Sequence, residues 1–157
     1  MHSLSLRRFA GIAFASLALA TAACGGDDGG PSGPSAPAPA DVSGTYGLTS
    51  LRALANLGGG GNGLPVTFIG GGGSTLTFKS GHLTLTSGGA YELLVEAVYN
   101  GGDITMSDEG NYDVSGNSID FTPTGDPARM RDGTISGSSM TAKTQFGGIP
   151  FEIDLKK

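Results

Sequence analysis

The stretch "YELLVEAVY", residues 91–99, decides the fold class of this chain. Its apolar side chains recur at every second position, and Glu92 and Glu96 stand between them. A repeat of two residues is typical of a β-strand that turns one face to a core and the other to water. We therefore predict a half-buried strand here. Its inward face carries Tyr91, Leu93, Val95, Ala97 and Tyr99.

The same alternation continues on both sides of this strand. It is present in "LPVTFI" (64–69) and in "PFEIDLKK" (150–157). The stretch "STLTFKSGHLTLTSG" (74–88) predicts two short strands separated by a turn at Ser80-Gly81, because glycine is favoured where the chain reverses direction.

Two further stretches have the pattern of β-hairpins. "EGNYDVSGNSIDFT" (109–122) is predicted to reverse at Gly116-Asn117, and "DGTISGSSMTAKTQF" (132–146) at Gly137-Ser138. Glycine and asparagine accept the positive φ that tight hairpin turns need. Only "SLRALANL" (50–57) has a spacing that predicts a helical turn or two.

These patterns predict an all-β domain over residues 42–157. We count about eight to ten short strands, joined by short turns and without crossover helices. The architecture that fits is a single antiparallel up-and-down meander, closed into a barrel so that no sheet edge is left exposed. A β-sandwich is the alternative architecture.

The chain begins with the three parts of a secretory signal peptide. "MHSLSLRR" is basic, "FAGIAFASLALATAA" (9–23) is uncharged and apolar, and small residues precede Cys24. The apolar run is shorter than the ~20 residues that a membrane-spanning helix needs. We therefore predict that residues 1–23 are a signal peptide that directs export.

Cys24 is the only cysteine of the chain, so it has no partner for a disulfide. "ATAAC" (20–24) resembles the lipobox of bacterial lipoprotein precursors, although Thr21 stands where that family prefers leucine. The resemblance implies cleavage before Cys24, attachment of diacylglycerol and of fatty acyl chains such as palmitate, and anchoring in the membrane of the cell envelope. Gly25 stands where aspartate would retain such a protein in the inner membrane, which favours the outer membrane.

Residues 24–41 are predicted to form a disordered linker, because glycine, proline, serine and aspartate dominate them without apolar periodicity. Fully extended, the linker would reach ~50–60 Å from the membrane surface. The formal charge is −5 for the whole chain and −7 once residues 1–23, which contain Arg7 and Arg8, are removed. Such an acidic domain repels phosphate backbones, so nucleic acid is excluded as a partner.

Three short segments share the pattern Gly-x-Tyr: Gly44-Thr45-Tyr46, Gly89-Ala90-Tyr91 and Gly110-Asn111-Tyr112. Together with the final hairpin they make residues 42–157 resemble the lipocalin-like domains of bacterial lipoproteins. The resemblance implies an up-and-down barrel and, less directly, a carrier of small hydrophobic molecules. The chain departs from the family where lipocalins carry tryptophan, here Tyr46, and where a late arginine packs over it, here only Lys156 and Lys157.

No catalytic arrangement is recognisable, so we predict that the protein is not an enzyme and needs no cofactor or metal. His82 is predicted to be a surface residue, and no second histidine follows the signal peptide to build a zinc site. "GGGGSTLTFKS" has Phe78 where a phosphate-binding loop requires glycine. The spacing of four carboxylates fits no calcium loop, and we predict a solvated acidic hairpin. These carboxylates are Asp103, Asp108, Glu109 and Asp113.

Binding is the function class that remains. A barrel of about eight strands either fills its interior with side chains or holds one small ligand. The aromatic side chains predicted to line the interior are Tyr46, Phe78, Tyr91, Tyr99, Tyr112, Phe121, Phe146 and Phe151. They either bind a small hydrophobic molecule or simply fill a core, and in the second case the domain is a structural or protein-interaction module of the envelope. Glycine runs at 58–61 and 70–73 favour a mobile connection at the barrel mouth.

Overall fold

The computed structural model describes residues 41–61, 63–125 and 129–157. The predicted signal peptide, Cys24 and nearly all of the predicted linker lie outside these residues. The described ranges contain no helix long and apolar enough to cross a membrane. Their elements are β1 Gly44–Ala53, β2 Gly58–Gly59, β3 Val66–Ile69, a 3₁₀ turn Gly71–Gly73, β4 Thr75–Leu85, β5 Ala90–Tyr99, β6 Gly102–Ser115, β7 Ser118–Pro123, β8 Gly133–Ser136, β9 Ser139–Phe146 and β10 Ile149–Lys156.

Eight of the strands close an antiparallel barrel in which strands adjacent in sequence are mostly adjacent in space. Their order around the barrel is β1, β10, β9, β8, β7, β6, β5 and β4. The ring closes where Gly44–Gly47 of β1 pair with His82–Leu85 of β4. The predicted all-β up-and-down barrel is therefore confirmed, and the sandwich alternative is wrong.

The turn predicted at Ser80-Gly81 is wrong, because β4 runs through these residues as one strand. Its register against β5 shifts between Phe78 and Ser80, which leaves Lys79 as the extra residue of a bulge. A bulge bends a strand and resets the alternation of its side chains. The bend lets the first half of β4 pair with β3 and the second half pair with β1.

The helical turn predicted for residues 50–57 is also wrong. Strand β1 continues to Ala53 and pairs with β10, with Leu51 opposite Ile153. A register shift between Leu48 and Ser50 gives β1 its own bulge. The bulge explains why the apolar spacing of this segment does not have a strict period of two.

The barrel wall is incomplete at one end, which we call the mouth. Strand β7 ends at Pro123, opposite Gly110, whereas β6 begins further toward the mouth at Gly102. Strand β8 begins at Gly133, whereas β9 continues to Phe146. Between β6 and β9 the described residues therefore form no regular strand at the mouth.

Residues 129–132 cover part of this interval. The Arg131 amide donates to the Lys143 carbonyl over 2.9 Å, and the Gln145 amide donates to the Arg129 carbonyl over 3.0 Å. These bonds attach the segment to β9. On its other side the Arg129 guanidinium donates to the Ser107 carbonyl of β6 over 2.6 Å.

Asp108 joins the same segment to β5 and β6. Its Oδ2 atom accepts hydrogen bonds from the Met130 amide at 2.8 Å and from the Tyr91 hydroxyl at 2.9 Å. The prediction that Asp108 is solvated is wrong, because the residue is only 8% exposed. It falls on the inward face of β6, whereas the other members of the predicted acidic hairpin are exposed: Asp103, Glu109 and Asp113.

The opposite end of the barrel, where the described chain enters at Asp41, is the closed end. The buried Val42 lies there, and its carbonyl accepts a hydrogen bond of 2.8 Å from the Tyr46 hydroxyl. The Lys157 ammonium lies 5.7 Å from the centre of the Tyr46 ring and donates to the Ser43 carbonyl. A cation over an aromatic face is stabilising, so these contacts close this end of the barrel.

We expect Asp108→Ala to lower the free energy of unfolding by about 1–3 kcal/mol, because it leaves the buried Met130 amide and Tyr91 hydroxyl without an acceptor. Asp113→Ala on the same strand removes an exposed carboxylate and is the matched control, with an expected change within about 0.5 kcal/mol. Urea denaturation of both variants measures the difference. Equal stabilities would show that Asp108 does not hold the wall together.

Candidate functional site

An apolar cavity of about 440 Å³ opens at the mouth of the barrel. It lies among the β2–β3 pair, the 3₁₀ turn, the start of β4, the β5–β6 turn and the β9–β10 turn. Most of its side chains are aliphatic or aromatic. Its lining consists of Leu57, Phe68, Gly70, Gly71, Ser74, Thr75, Leu76, Tyr99, Ile104, Met106, Phe146, Gly147 and Ile149.

The turns around the cavity are rich in glycine, which leaves the parts of the entrance beside Gly70, Gly71 and Gly147 without side chains. Gly147 and Gly148 connect β9 to β10 with φ angles of 57° and 79°, which residues with a Cβ rarely adopt. The second four-glycine run forms the 3₁₀ turn, with Gly72 at φ 73°. The first run begins with β2, Gly58–Gly59, which pairs with β3 beside the cavity. The mobility of this connection stays a prediction.

The bottom of the cavity is a cluster of four phenylalanines, which we call the floor. It consists of Phe68, Phe78, Phe146 and Phe151. Neighbouring ring centres lie 5.3 to 6.0 Å apart, in edge-to-face or tilted arrangements. Phe68 and Phe146 line the cavity, whereas Phe78 and Phe151 are fully buried beneath them. Such ring pairs are stabilising beyond the area they bury, so the floor contributes to the stability of the core.

The rim of the cavity exposes large apolar side chains to solvent. Tyr99 is 50% exposed and Ile104 is 37% exposed, and both line the cavity. Ile69 and Leu54 are exposed at the same end of the barrel but do not line it. Among the described residues, the large hydrophobic side chains left exposed are thus all at the mouth.

Among the described residues, none of those that line the cavity carries a charge. Lys79 and Asp103 form an exposed ion pair with an N–O distance of 2.6 Å. Asp103 directly precedes Ile104 in β6. Successive residues of a strand face opposite sides, so Asp103 points outward where Ile104 points to the cavity. The site therefore suits an uncharged apolar molecule, and its polar groups are the hydroxyls of Ser74, Thr75 and Tyr99.

The structure divides the eight aromatic residues predicted as a binding site. Tyr99 and Phe146 line the mouth cavity, and Phe78 and Phe151 support it from below. Tyr46 is buried at the closed end.

The remaining three predicted residues lie away from the cavity. Tyr91 packs edge-to-face on Phe121 at 5.0 Å between ring centres, and the Tyr112 hydroxyl donates to the Thr86 carbonyl over 2.6 Å. Ligand binding stays a prediction for all eight residues.

Several cavity residues were missed by sequence reasoning. They are aliphatic or sulfur-containing, or belong to the short β3 strand: Leu57, Phe68, Leu76, Ile104, Met106 and Ile149. The signal that could have found them is their position next to the glycine turns of one barrel end. Sequence reasoning weighted aromatic residues, and aromatic residues occur throughout the interior.

A second cavity, of about 340 Å³, lies on the side of the barrel near Asp108. Its lining is polar and includes Glu92, Glu109, Thr124 and Arg129. Within the described ranges no group of three or more histidine, cysteine, aspartate or glutamate residues could hold a metal ion. His82 is exposed, as predicted.

Protein-family models, curated proteins and solved structures give no match to this chain. The resemblance to lipoprotein precursors therefore rests on the sequence motif alone, and the closed barrel is consistent with a lipocalin-like fold.

The three tyrosines of the Gly-x-Tyr segments have raised pKa values. Burial raises the pKa of Tyr91 well above its ordinary value, and the hydrogen bond that its hydroxyl donates to Asp108 raises this pKa further. Burial is also the main cause of the raised pKa values of Tyr46 and Tyr112. In each case the folded domain favours the neutral hydroxyl.

These shifts predict alkaline destabilisation. The folded domain keeps its tyrosine protons at a pH at which the unfolded chain loses them, so the free energy of unfolding falls as the pH rises above about 10. Tyr91→Phe is expected to be less stable at pH 8, because Asp108 loses a donor, and to lose less stability between pH 9 and 11. Phe121→Leu, which alters the ring that packs on Tyr91 but removes no hydroxyl, is the control and should keep the wild-type dependence on pH. Urea denaturation between pH 9 and 11 measures how the free energy of unfolding depends on pH. A dependence in Tyr91→Phe equal to that of the wild type would contradict the prediction.

Proposed function

We propose that this protein is a lipoprotein of the cell envelope whose lipocalin-like barrel binds a small hydrophobic molecule in the mouth cavity. In this proposal it is a binding protein and not an enzyme, it uses no cofactor, and it has no nucleic-acid partner. It is exported and held by its lipid at a membrane, which Gly25 suggests is the outer membrane.

The mouth cavity is the observation that carries the proposal. Its volume of about 440 Å³ lies within the ~300–1,000 Å³ of pockets that hold small molecules. Its lining is apolar with a few hydroxyls, which is the usual composition of such pockets. The cavity also lies at an open barrel end, a common position for ligand sites.

The closed end supports the lipocalin-like part of the proposal. The lipocalin pattern places an arginine over a tryptophan of the first motif, and this sequence has neither residue at those places. Here Lys157 lies over the ring of Tyr46, with its ammonium 5.7 Å from the ring centre. A cationic residue that follows the last strand thus covers an aromatic ring of the first Gly-x-Tyr segment, although both residue types differ from those of lipocalins.

The position of the chain entry fits a tethered binding domain. Asp41 and Val42 enter at the closed end, where Val42 is buried under the barrel. The mouth is therefore at the end of the barrel opposite the point where the linker joins.

A second candidate function is a structural or protein-interaction module of the envelope. The observation that favours it is the exposed apolar pair Leu54 and Ile69, which lies at the mouth outside the cavity. The fully packed interior beneath the floor also fits this function. Under this alternative the rim contacts a protein partner, and no small molecule occupies the cavity.

Ile104→Asp tests the binding site directly. The neutral fluorescent probe N-phenyl-1-naphthylamine is expected to bind the purified full chain, and the variant should bind it at least about tenfold more weakly because a carboxylate then faces the apolar cavity. Ile69→Asp introduces the same charge at the same end without touching the cavity, and it should bind like the wild type. Probe titration measures all three proteins. Absence of binding to the wild-type chain would refute ligand binding and favour the interaction module.

Cys24→Ser tests the anchor. Without the thiol, the chain is expected to incorporate no labelled palmitate. The chain should also be lost from the membrane fraction, because each acyl chain contributes ~0.8 kcal/mol per buried CH₂ to membrane binding. Ser32→Ala, in the same predicted linker, is the control and should keep both properties. Label in the Cys24→Ser chain would show that the cysteine is not the attachment site.

A further inference from the structure

We propose that the phenylalanine floor limits the length of the apolar molecule that the mouth cavity accepts, and that Phe146 determines this limit. This inference rests on the proposed function, because it names the class of ligand for the same cavity. The class is an uncharged, predominantly apolar molecule that is short enough to fit between the mouth and the floor.

The cavity is shallow because the floor separates it from the rest of the barrel interior. Phe146 and Phe68 form its lower boundary, and the two rings beneath them have no exposed surface. Below the floor the interior is filled by buried residues of several strands: Leu51, Leu83, Val95, Ala142 and Ile153. A long chain that enters the mouth therefore meets packed side chains and not a continuous channel.

Phe146 is the member of the floor that faces the incomplete wall. It is the last residue of β9, at the interval between β6 and β9 in which the described residues form no regular strand. Its ring centre lies 5.3 Å from that of Phe78 and 5.6 Å from that of Phe151. Removing its ring would extend the mouth cavity toward both buried rings.

Phe68 is less suited to set the limit, although it also lines the cavity. It additionally lines a separate cavity of about 190 Å³ beside Leu51 and Gly60, between β1 and β2. Loss of the Phe68 ring would open the mouth cavity sideways toward the cavity beside Leu51 and Gly60. The downward extension of the cavity therefore depends on Phe146.

The lack of charge around the cavity defines the head group. The part of the lining that the structure describes contains no lysine, arginine, aspartate or glutamate, so a charged group beside these residues would lose its hydration without gaining a partner. An alcohol or a similar neutral group can contact the hydroxyls of Ser74, Thr75 or Tyr99. Primary alcohols of increasing chain length are therefore suitable probes.

The experiment measures displacement of N-phenyl-1-naphthylamine from the full chain by the primary alcohols from hexanol to hexadecanol. For the wild type, affinity should increase about fourfold per added CH₂ up to a limiting length and then stop increasing. For Phe146→Ala, alcohols longer than that limit should gain about fourfold per CH₂, because an apolar space left by a deleted side chain stays dry and accepts apolar groups.

Phe121→Ala is the matched control, since it deletes a buried ring that packs on Tyr91 and does not line the cavity. It should keep the wild-type limit even if it lowers stability. Phe146→Leu, which shortens the side chain with a smaller loss of volume, is used if Phe146→Ala does not fold, and it should shift the limit in the same direction by less.

The outcomes separate the two proposals. If neither the probe nor any alcohol binds to the wild type, the proposed function itself fails. If the alcohols bind but the affinity rises through the whole series, or if the Phe146 variants keep the wild-type limit, the floor does not select by length while the binding function stands. A shift in Phe121→Ala equal to that in Phe146→Ala would also overturn the assignment to Phe146.

Discussion

The closure of this barrel depends on the bulge at Lys79. One extra residue bends β4, so that Thr75–Phe78 pair with β3 while His82–Leu85 pair with β1. A bulge bends the strand that contains it, and here the two halves of one edge of β4 pair with different neighbours. The bend therefore gives the domain both a closed lower half and an additional β2–β3 pair at the mouth. The floor depends on it as well, because Phe68 on β3 and Phe78 on β4 meet across this pairing.

The unequal lengths of the strands create the site. Strands β7 and β8 stop short of the mouth, and residues 129–132 replace them with help from the carboxylate of Asp108. Burying a carboxylate is unfavourable unless it is hydrogen-bonded, and here both the Tyr91 hydroxyl and the Met130 amide donate to it. The interior below is filled, whereas the mouth keeps an apolar space whose entrance is bordered by glycine turns. The packed core and the cavity thus occupy different levels of one barrel.

The sequence was sufficient to predict those features that depend on local alternation. The period of two in residues 91–99, the reversals at Gly116-Asn117 and Gly137-Ser138 and the up-and-down topology all follow from local backbone preferences. The bulge at Lys79 was mistaken for a turn, because both interrupt the alternation beside a glycine. The burial of Asp108 was missed because its donors come from distant parts of the chain, 17 and 22 residues away. Likewise the choice of Phe146 for the cavity and Tyr46 for the closed end depends on strand ends, which the alternation of side chains does not define.

The contact between Lys157 and Ser43 has a topological consequence. The first and last strands of the ring are paired with each other, and the residues that flank them meet at the closed end. The order of strands around the barrel is therefore cyclic. The pairing of the strands does not require that the chain begin with β1. A circularly permuted chain, joined by a short linker near residues 43 and 157 and opened at Gly147-Gly148, would contain the same strand pairs. Its new ends would then emerge beside the mouth.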